Sequence, residues 1–218
     1  MNTETTTTAA TLTAPPETLR AILAALDEYT SPDKTRLALT LARLTPVIVE
    51  QPDADDVRPT ALRFEATNST ELLEITAECA HTLTAPTLID PAAILAAMPK
   101  KTETKYHAET VLTLTPEAWN LTTGHTTSTG RQDPSSANIW PNTPALWQDQ
   151  HPALAPHLIG APMLARLTKL AKHLGTDHVE AASMAHTDGK PDPRRPLVYT
   201  LTAGDITARV LIMPRRRN

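Results

Sequence analysis

The hydrophobic residues of this chain follow two rhythms that take turns. Helical spacing comes first: Leu19, Ile22, Leu23 and Leu26 share a face behind Pro15-Pro16 and predict a helix from Pro16 to near Tyr29. Ser31-Pro32-Asp33 predicts the start of a second helix, carrying Leu37, Leu41 and Leu44 and closed by Pro46. Beyond an acidic, Pro-containing loop at 51–58 the rhythm becomes that of strands. These are predicted at 61–66, at 72–76 after a turn at Asn68-Ser69, and at 80–84.

The same order then returns twice. Leu88-Ile89, with Asp90 as cap and Pro91 at the first helical position, predicts a short helix over 92–98, followed by strands at 109–114 and 118–123. A polar loop at 124–137 leads to Ile139-Trp140-Pro141. Leu158-Ile159 opens the third copy. Its helix begins at Ala161-Pro162, gathers Leu164, Leu167, Leu170, Ala171 and Leu174, and stops at Gly175. Strands at 178–184, 197–201 and 206–212 complete it, interrupted by a loop at 187–195. A helix followed by several strands thus recurs three times, at a period of roughly 60 residues. Thr-rich alternation gives strands one wet face, so the fold class is α+β: repeated modules in which helices cover one face of an antiparallel sheet. Residues 1–14, Thr-rich and without rhythm, are expected to form a disordered tail.

Composition narrows the function classes. The 218 residues suffice for one large domain or two small ones. With 6 Gly against 20 Pro, and neither GxGxxG nor a GxxxxGKS/T loop, phosphate-cradling nucleotide folds of those kinds are unsupported. No run approaches the roughly 18 apolar residues of a membrane span. The amino terminus has neither the basic start nor the apolar stretch of a secretory signal. A single cysteine, Cys79, excludes an internal disulfide and fits a reducing compartment, so the expected location is cytoplasmic. The sequons at Asn68 and Asn120 are then chance matches.

Candidate chemistry is sparse. Asp53, Asp55 and Asp56 lack the Gly and the distant Glu of a calcium loop and read as a solvated loop. None of the 8 His forms HExxH, one Cys cannot build a zinc set, and no GxSxG elbow occurs. Cys79 and His81 share a strand face without an orienting third group, which favours an inert thiol over a nucleophile. The chain is therefore not expected to be an enzyme, and no cofactor or metal is implied.

Charge is better organised. Residues 1–150 hold 10 Lys+Arg against 19 Asp+Glu, net −9, whereas residues 151–218 hold 10 against 5, net +5. Such a bipolar molecule can offer its basic side to a polyanion. Arg166, Lys169 and Lys172 stand at i, i+3 and i+6 on the third helix. Arg36 and Arg43, seven apart, are expected to share a helix face, and Lys100 and Lys101 close the middle helix. Basic helix faces at this density suit phosphate contact without base reading.

Three segments, in order, resemble the bacterial DNA polymerase III beta subunit, the sliding clamp. The first runs from Arg58-Pro59 through Leu62-Arg63-Phe64 to Ala77-Glu78-Cys79-Ala80-His81-Thr82-Leu83-Thr84. That stretch keeps the Ala, His and Leu of the family's Ala-Thr-Asp-Gly-His-Arg-Leu-Ala and loses its Asp and Arg. The second, Trp140-Pro141-Asn142-Thr143-Pro144-Ala145-Leu146, is similar to the family's Phe-Pro-Asp-Tyr run. The third, Val210-Leu211-Ile212-Met213-Pro214-Arg215-Arg216, looks like its apolar pair followed by Met-Pro-x-Arg.

The resemblance covers about residues 34–218 and implies helices lining a hole around duplex DNA, with sheets outside. A bacterial clamp subunit has six half-domain modules; this chain shows three. The implied organisation is a tail at 1–14, an extra helix at 15–33, a two-module clamp-like domain at 34–150 and a half-domain at 151–218. The family also implies a pocket for partner peptides, here at His81, Leu83, Pro141, Leu146, Leu211, Ile212, Met213 and Pro214. The expected function is a homo-oligomeric processivity factor, joined edge to edge, that encircles or apposes duplex DNA and docks polymerase or other clamp-motif peptides. The alternative is a clamp-derived protein that binds such peptides without encircling DNA.

Overall fold

The computed structural model describes residues 9–47, 61–104, 106–132, 140–147, 151–153, 161–185 and 196–213, with the backbone alone at 151–153 and 182–185. The expected tail is corrected at its end: Ala10–Ala14 form strand β1, burying Leu12 and Ala14 while Thr11 and Thr13 stay half-exposed. Two alternating apolar side chains are too few to stand out in a Thr-rich stretch. Helix α1, Pro16–Tyr29, opens with Pro in its first turn and ends where Thr30 turns extended. Leu19, Ile22, Leu23, Leu26 and Tyr29 are buried along it.

The second predicted helix does not form. Asp33 Oδ1 accepts from the N–H and the hydroxyl of Thr35 at 3.0 and 2.7 Å, which offers the backbone a turn in place of a helix start. A 3₁₀ turn follows at Leu37–Thr40, and then strand β2, Ala42–Val47. Pro46, which has no N–H to donate, is tolerated because β6 (Thr87–Ile89) pairs with β2 only over residues 42–44, leaving Pro46 beyond that pairing among the described residues.

β3 (Ala61–Thr67) and β4 (Glu71–Glu78) complete the first module. The second comprises β5 (Ala80–His81), β6, α2 (Pro91–Ala97), the single turn α3 (Lys101–Thr104), β7 (Thr110–Leu114), β8 (Ala118–Thr123) and β9 (Thr126–Arg131). Asp90 caps α2 as its sequence predicts, accepting from Ala93 N at 2.9 Å. β9 stands where a polar loop was expected. After α4 (Thr143–Trp147) come β10 (His151–Ala153), α5 (Ala161–Leu174), β11 (Glu180–Ala185), β12 (Leu197–Ala203) and β13 (Ile206–Ile212).

Among the described residues the strands form two antiparallel sheets, in the orders β5-β1-β7-β8-β9 and β10-β11-β12-β13-β4-β3-β2-β6. The first two modules trade leading strands: β1 pairs with β7 of the second, and β6 pairs with β2 of the first. α1 and α2 pack together across this exchange. A different junction joins the third module, where β4 and β13, each the last strand of its module, pair over seven residues. α1 also packs on α5, so the helix expected to be an extra is the helix of the first module, flanked on both sides.

The helices and the inward side chains of both sheets share one core, including Leu23, Phe64, Leu73, Ile75, Leu112, Leu201 and Val210. Each such Leu, Ile, Val or Phe stabilises the fold by about 1.5–3 kcal/mol relative to exposure. Among the described residues no helix is long and apolar enough to cross a membrane.

Candidate docking face and basic helix layer

Arg43, Glu65, Glu74 and Arg209 point away from the core on β2, β3, β4 and β13. The register sets them in one row, each directly opposite the next. Two carboxylates side by side repel, and here an Arg holds each from the outer side. Arg43 Nε donates to Glu65 Oε2 at 2.8 Å, with Nη2 2.7 Å from the same oxygen. Arg209 donates from Nε at 3.0 Å, and from Nη2, to Glu74 Oε1. Arg63 Nη1 lies 3.8 Å from Glu74 Oε2.

Glu65 and Glu74 are only 1% and 4% exposed, because residues 140–147 lie across the row. Thr143 Oγ1 donates to Glu65 Oε1 and accepts from Arg43 Nη2, both at 2.5 Å. Trp140 stacks on Arg43 at 5.7 Å and Trp147 on Arg209 at 4.3 Å, favourable for a cation over a ring face. The segment therefore crosses four strands, three spacings of about 4.8 Å.

Beside Trp147 this face turns apolar. Leu72, Val198 and Leu211 form a buried cluster separate from the main core, and Trp147 packs on it. Leu146 and Met213 are 41% and 42% exposed. Met213, two residues past Leu211, is tied to Thr70 O through its N–H at 3.0 Å. Of the residues implied for partner peptides, Pro141, Leu146, Leu211 and Met213 thus belong to this face or its covering segment.

The others do not. Ile212 alternates to the opposite face and is core, as is Leu83, at 2% and 1% exposure. His81 lies on β5 with Nε2 3.3 Å from Ala61 O, and burial pushes its pKa down. Pro214 lies outside the described residues. The sequence reading did not find Trp147, Leu72 and Val198. The available signal was apolar residues at outward strand positions, where a wet face would be polar.

On the opposite side of the molecule, the helices carry exposed cations. Lys100, Lys101, Lys169 and Lys172 are exposed, and Lys169 Nζ donates to both Glu28 oxygens at 2.9 and 3.0 Å. Burial lowers the pKa of His173; Glu28 opposes the shift and Lys169, Lys172 and Lys101 add to it. Lys101, Lys169 and Lys172 therefore all lie within electrostatic reach of His173 on α5.

Three expected members sit elsewhere. Arg166 turns inward, its Nη2 2.5 Å from Oε2 of Glu71, whose side chain is 0% exposed. Arg36 lies in the turn before β2 and reaches Ser69 Oγ at 3.3 Å. Arg43 stands on the outer sheet face, so the helix face these two were to share does not exist.

Little else offers chemistry. Cys79 Sγ donates to Ala77 O at 3.7 Å, and burial pushes its pKa up to about 11, leaving the thiol protonated. Among the described residues no three His, Cys, Asp or Glu converge as a metal site. Asp53, Asp55 and Asp56 lie outside the described residues.

No protein-family model and no curated protein matches the chain. Solved structures match its shape. A. fulgidus PCNA, in a structure with the C-terminal region of FEN-1 bound, superposes with a TM-score of 0.58 at 10% identity, over 96% of this chain and 99% of that one. The DNA polymerase III beta subunit of Thermotoga maritima gives 0.58 at 11% identity, over 95% of this chain and 66% of its own. That of Pseudomonas aeruginosa gives 0.55 at 12% identity, over 99% and 69%. The chain thus spans about two thirds of these bacterial subunits. In its repeated modules, its helices on one side and its antiparallel sheets on the other, the chain has the fold of the DNA sliding clamps.

Proposed function

We propose that the chain is a sliding-clamp-type processivity factor, a cytoplasmic, non-enzymatic protein. Its helix layer apposes or encircles duplex DNA and its outer sheet face docks partner peptides. The observation that carries this reading is its two-sidedness: exposed Lys101, Lys169 and Lys172 on the helices, and the apolar cluster under Trp147 on the far side of the sheet. Phosphate contact needs exposed cations and no base-reading groups. An apolar groove with exposed Leu146 and Met213 suits the Leu or Phe anchor of a short peptide. PCNA, on the same fold, holds the C-terminal region of FEN-1.

In this reading the chain is one complete two-module domain, beginning at β1, followed by half of another. Homo-oligomer formation is supported by β9. Its counterpart β4 has its outer edge taken by β13, while the outer edge of β9 has no partner among the described residues and is a template for a strand of another copy.

Duplex binding against salt tests the DNA half. Charge reversal of Lys169 and Lys172 should weaken binding and reduce the slope of log affinity against log salt by about 0.9 per lost contact. The same change at Lys34 and Arg131, exposed but off the helices, should do little. Equal losses from both pairs would mean diffuse adhesion. The alternative, partner binding without DNA, is favoured by the pairing of Lys169 with Glu28 and Arg166 with Glu71, which thins the basic layer. Clamp-motif peptide binding with no loss from the helix pair would leave that reading standing alone.

A further inference from the structure

The third module is open where the first two are closed. In the closed pair, the strand after each helix buries its inward side chains: Ala42 and Leu44 of β2 are 0% exposed, and Leu112 and Leu114 of β7 are 0% and 2%. The equivalent strand of the third module is β11. Ala181 stands opposite the core residue Tyr199, so Ala181 and Val179, two residues earlier, face the same side as α5. Both are exposed, Val179 to 42%.

α5 has the same gap. α1 buries seven of its 14 residues between two helix neighbours, whereas α5, also 14 long, buries five beside α1. Arg166 and Lys169 lie on the flank toward the first module, paired with Glu71 and Glu28. Helical periodicity puts Leu164, Thr168 and Ala171 on the other flank. These three positions carry no charge, with Lys172 one turn beyond Thr168 at the border of the wet face, and Leu164 is 57% exposed.

We infer that a second copy of this chain covers this surface, α5 against α5 about a twofold axis near Thr168, so that two half-domains make one complete domain. The chain supplies the template, since α1 and α2 close the first two modules helix against helix. The uncharged stretch at Leu164, Thr168 and Ala171 does not repel its own copy, Lys172 can extend from its border to water, and a twofold axis asks for only one self-complementary patch. Lys169 and Lys172 stay on the wet side, so the pairing brings the basic layers of two copies together. The contact differs from the β9 edge and depends on neither DNA nor peptide.

Thr168→Cys in a Cys79→Ser background tests it. Axes packed at about 8–10 Å, with Cα atoms about 2.3 Å off each axis, leave facing Cα atoms roughly 3.4–5.4 Å apart. That overlaps the span of about 4.4–6.8 Å that a disulfide bridges. Oxidised glutathione, which accepts the two electrons and two protons of the thiols, should give a covalent dimer. Leu164→Lys should halve the molar mass in light scattering while its circular dichroism spectrum keeps the parent's form, because the residue is exposed within one copy. Thr129→Pro on the β9 edge should leave the Thr168→Cys cross-link in place. Absence of the covalent dimer, or a mass unchanged by Leu164→Lys, overturns the inference. Since neither DNA nor peptide is in the assay, such a failure leaves the proposed function standing, and the reverse also holds.

Discussion

Replacing Arg166 by Ala should cost far more stability than the loss of a surface phosphate contact would. Its Nη2 is 2.5 Å from Glu71 Oε2, and the Glu71 side chain is 0% exposed. The other support of that oxygen is Asn68 Nδ2 at 2.9 Å, while Oε1 is buried with no hydrogen-bond partner among the described residues. Removing the guanidinium leaves a buried carboxylate held by one amide. Breaking a buried pair from one side costs about 3–5 kcal/mol. The Arg166 side chain is 27% exposed, which screens part of the interaction and sets the expectation at the lower end, about 3 kcal/mol. In a chain of this size each kcal/mol moves the melting midpoint by about 2–4 °C, so the drop should be about 6–12 °C. Lys172→Ala, on an exposed residue, should stay within about 0.5 kcal/mol of the parent. Glu71→Gln combined with Arg166→Ala should recover most of the loss, because an amide needs no counter-charge. Thermal melts followed by circular dichroism over this double-mutant cycle measure the coupling. An Arg166→Ala midpoint within about 2 °C of Lys172→Ala would refute the pairing and return Arg166 to the phosphate-facing set.

Met213→Asp, at an exposed position, should abolish calorimetric binding of a Leu/Phe clamp-motif peptide without moving the melt, since a carboxylate in an apolar groove is left poorly solvated. A wild type that ignores such peptides would sink the docking face. Gly130→Ala puts a Cβ 2.3 Å from Trp119 ring atoms, so the urea midpoint should fall by the equivalent of about 1–3 kcal/mol. No change would mean that β9 does not lie against that ring. The His173 pKa is lowered by burial, so the unfolded chain protonates first as pH falls. Its contribution is complete above the unfolded value of 6.5 and is lost as pH drops toward the folded one. The melting midpoint of His173→Gln should therefore depend less steeply on pH on the acid side of neutrality, and parallel curves would contradict this.

The helices were legible where caps and periodicity agreed. Pro16, Asp90-Pro91 and Gly175 mark ends that the structure keeps, with Gly175 taking a positive φ of 72° after α5. The failed helix before β2 shows the limit of spacing. Leu37, Leu41 and Leu44 fit a helical face, but Ala42 and Leu44 also alternate, and the Thr35 bonds to Asp33 decide for a turn and strand. β1 and β9 escaped for a different reason. β1 has its partner β7 far along the chain, across the strand exchange, whereas β9 folds straight back on β8 as a hairpin; both are Thr-rich and carry too few apolar residues to announce a strand.

The docking face was legible only in fragments, because register and cover are both non-local. Arg43, Glu65, Glu74 and Arg209 each read as ordinary wet strand positions. Only three strand pairings place them in one row, and only a segment far along the chain buries it. Buried ion pairs stabilise little on balance, because desolvation offsets their attraction. What this row supplies is position. With Thr143 seated between Glu65 and Arg43, Trp140 reaches Arg43 and Trp147 reaches Arg209. A slide of the segment along the sheet would strand two carboxylates and empty the place over Leu72, Val198 and Leu211. The charged row thereby fixes where the aromatic cover sits, and the cover determines how much of the apolar cluster a partner peptide meets.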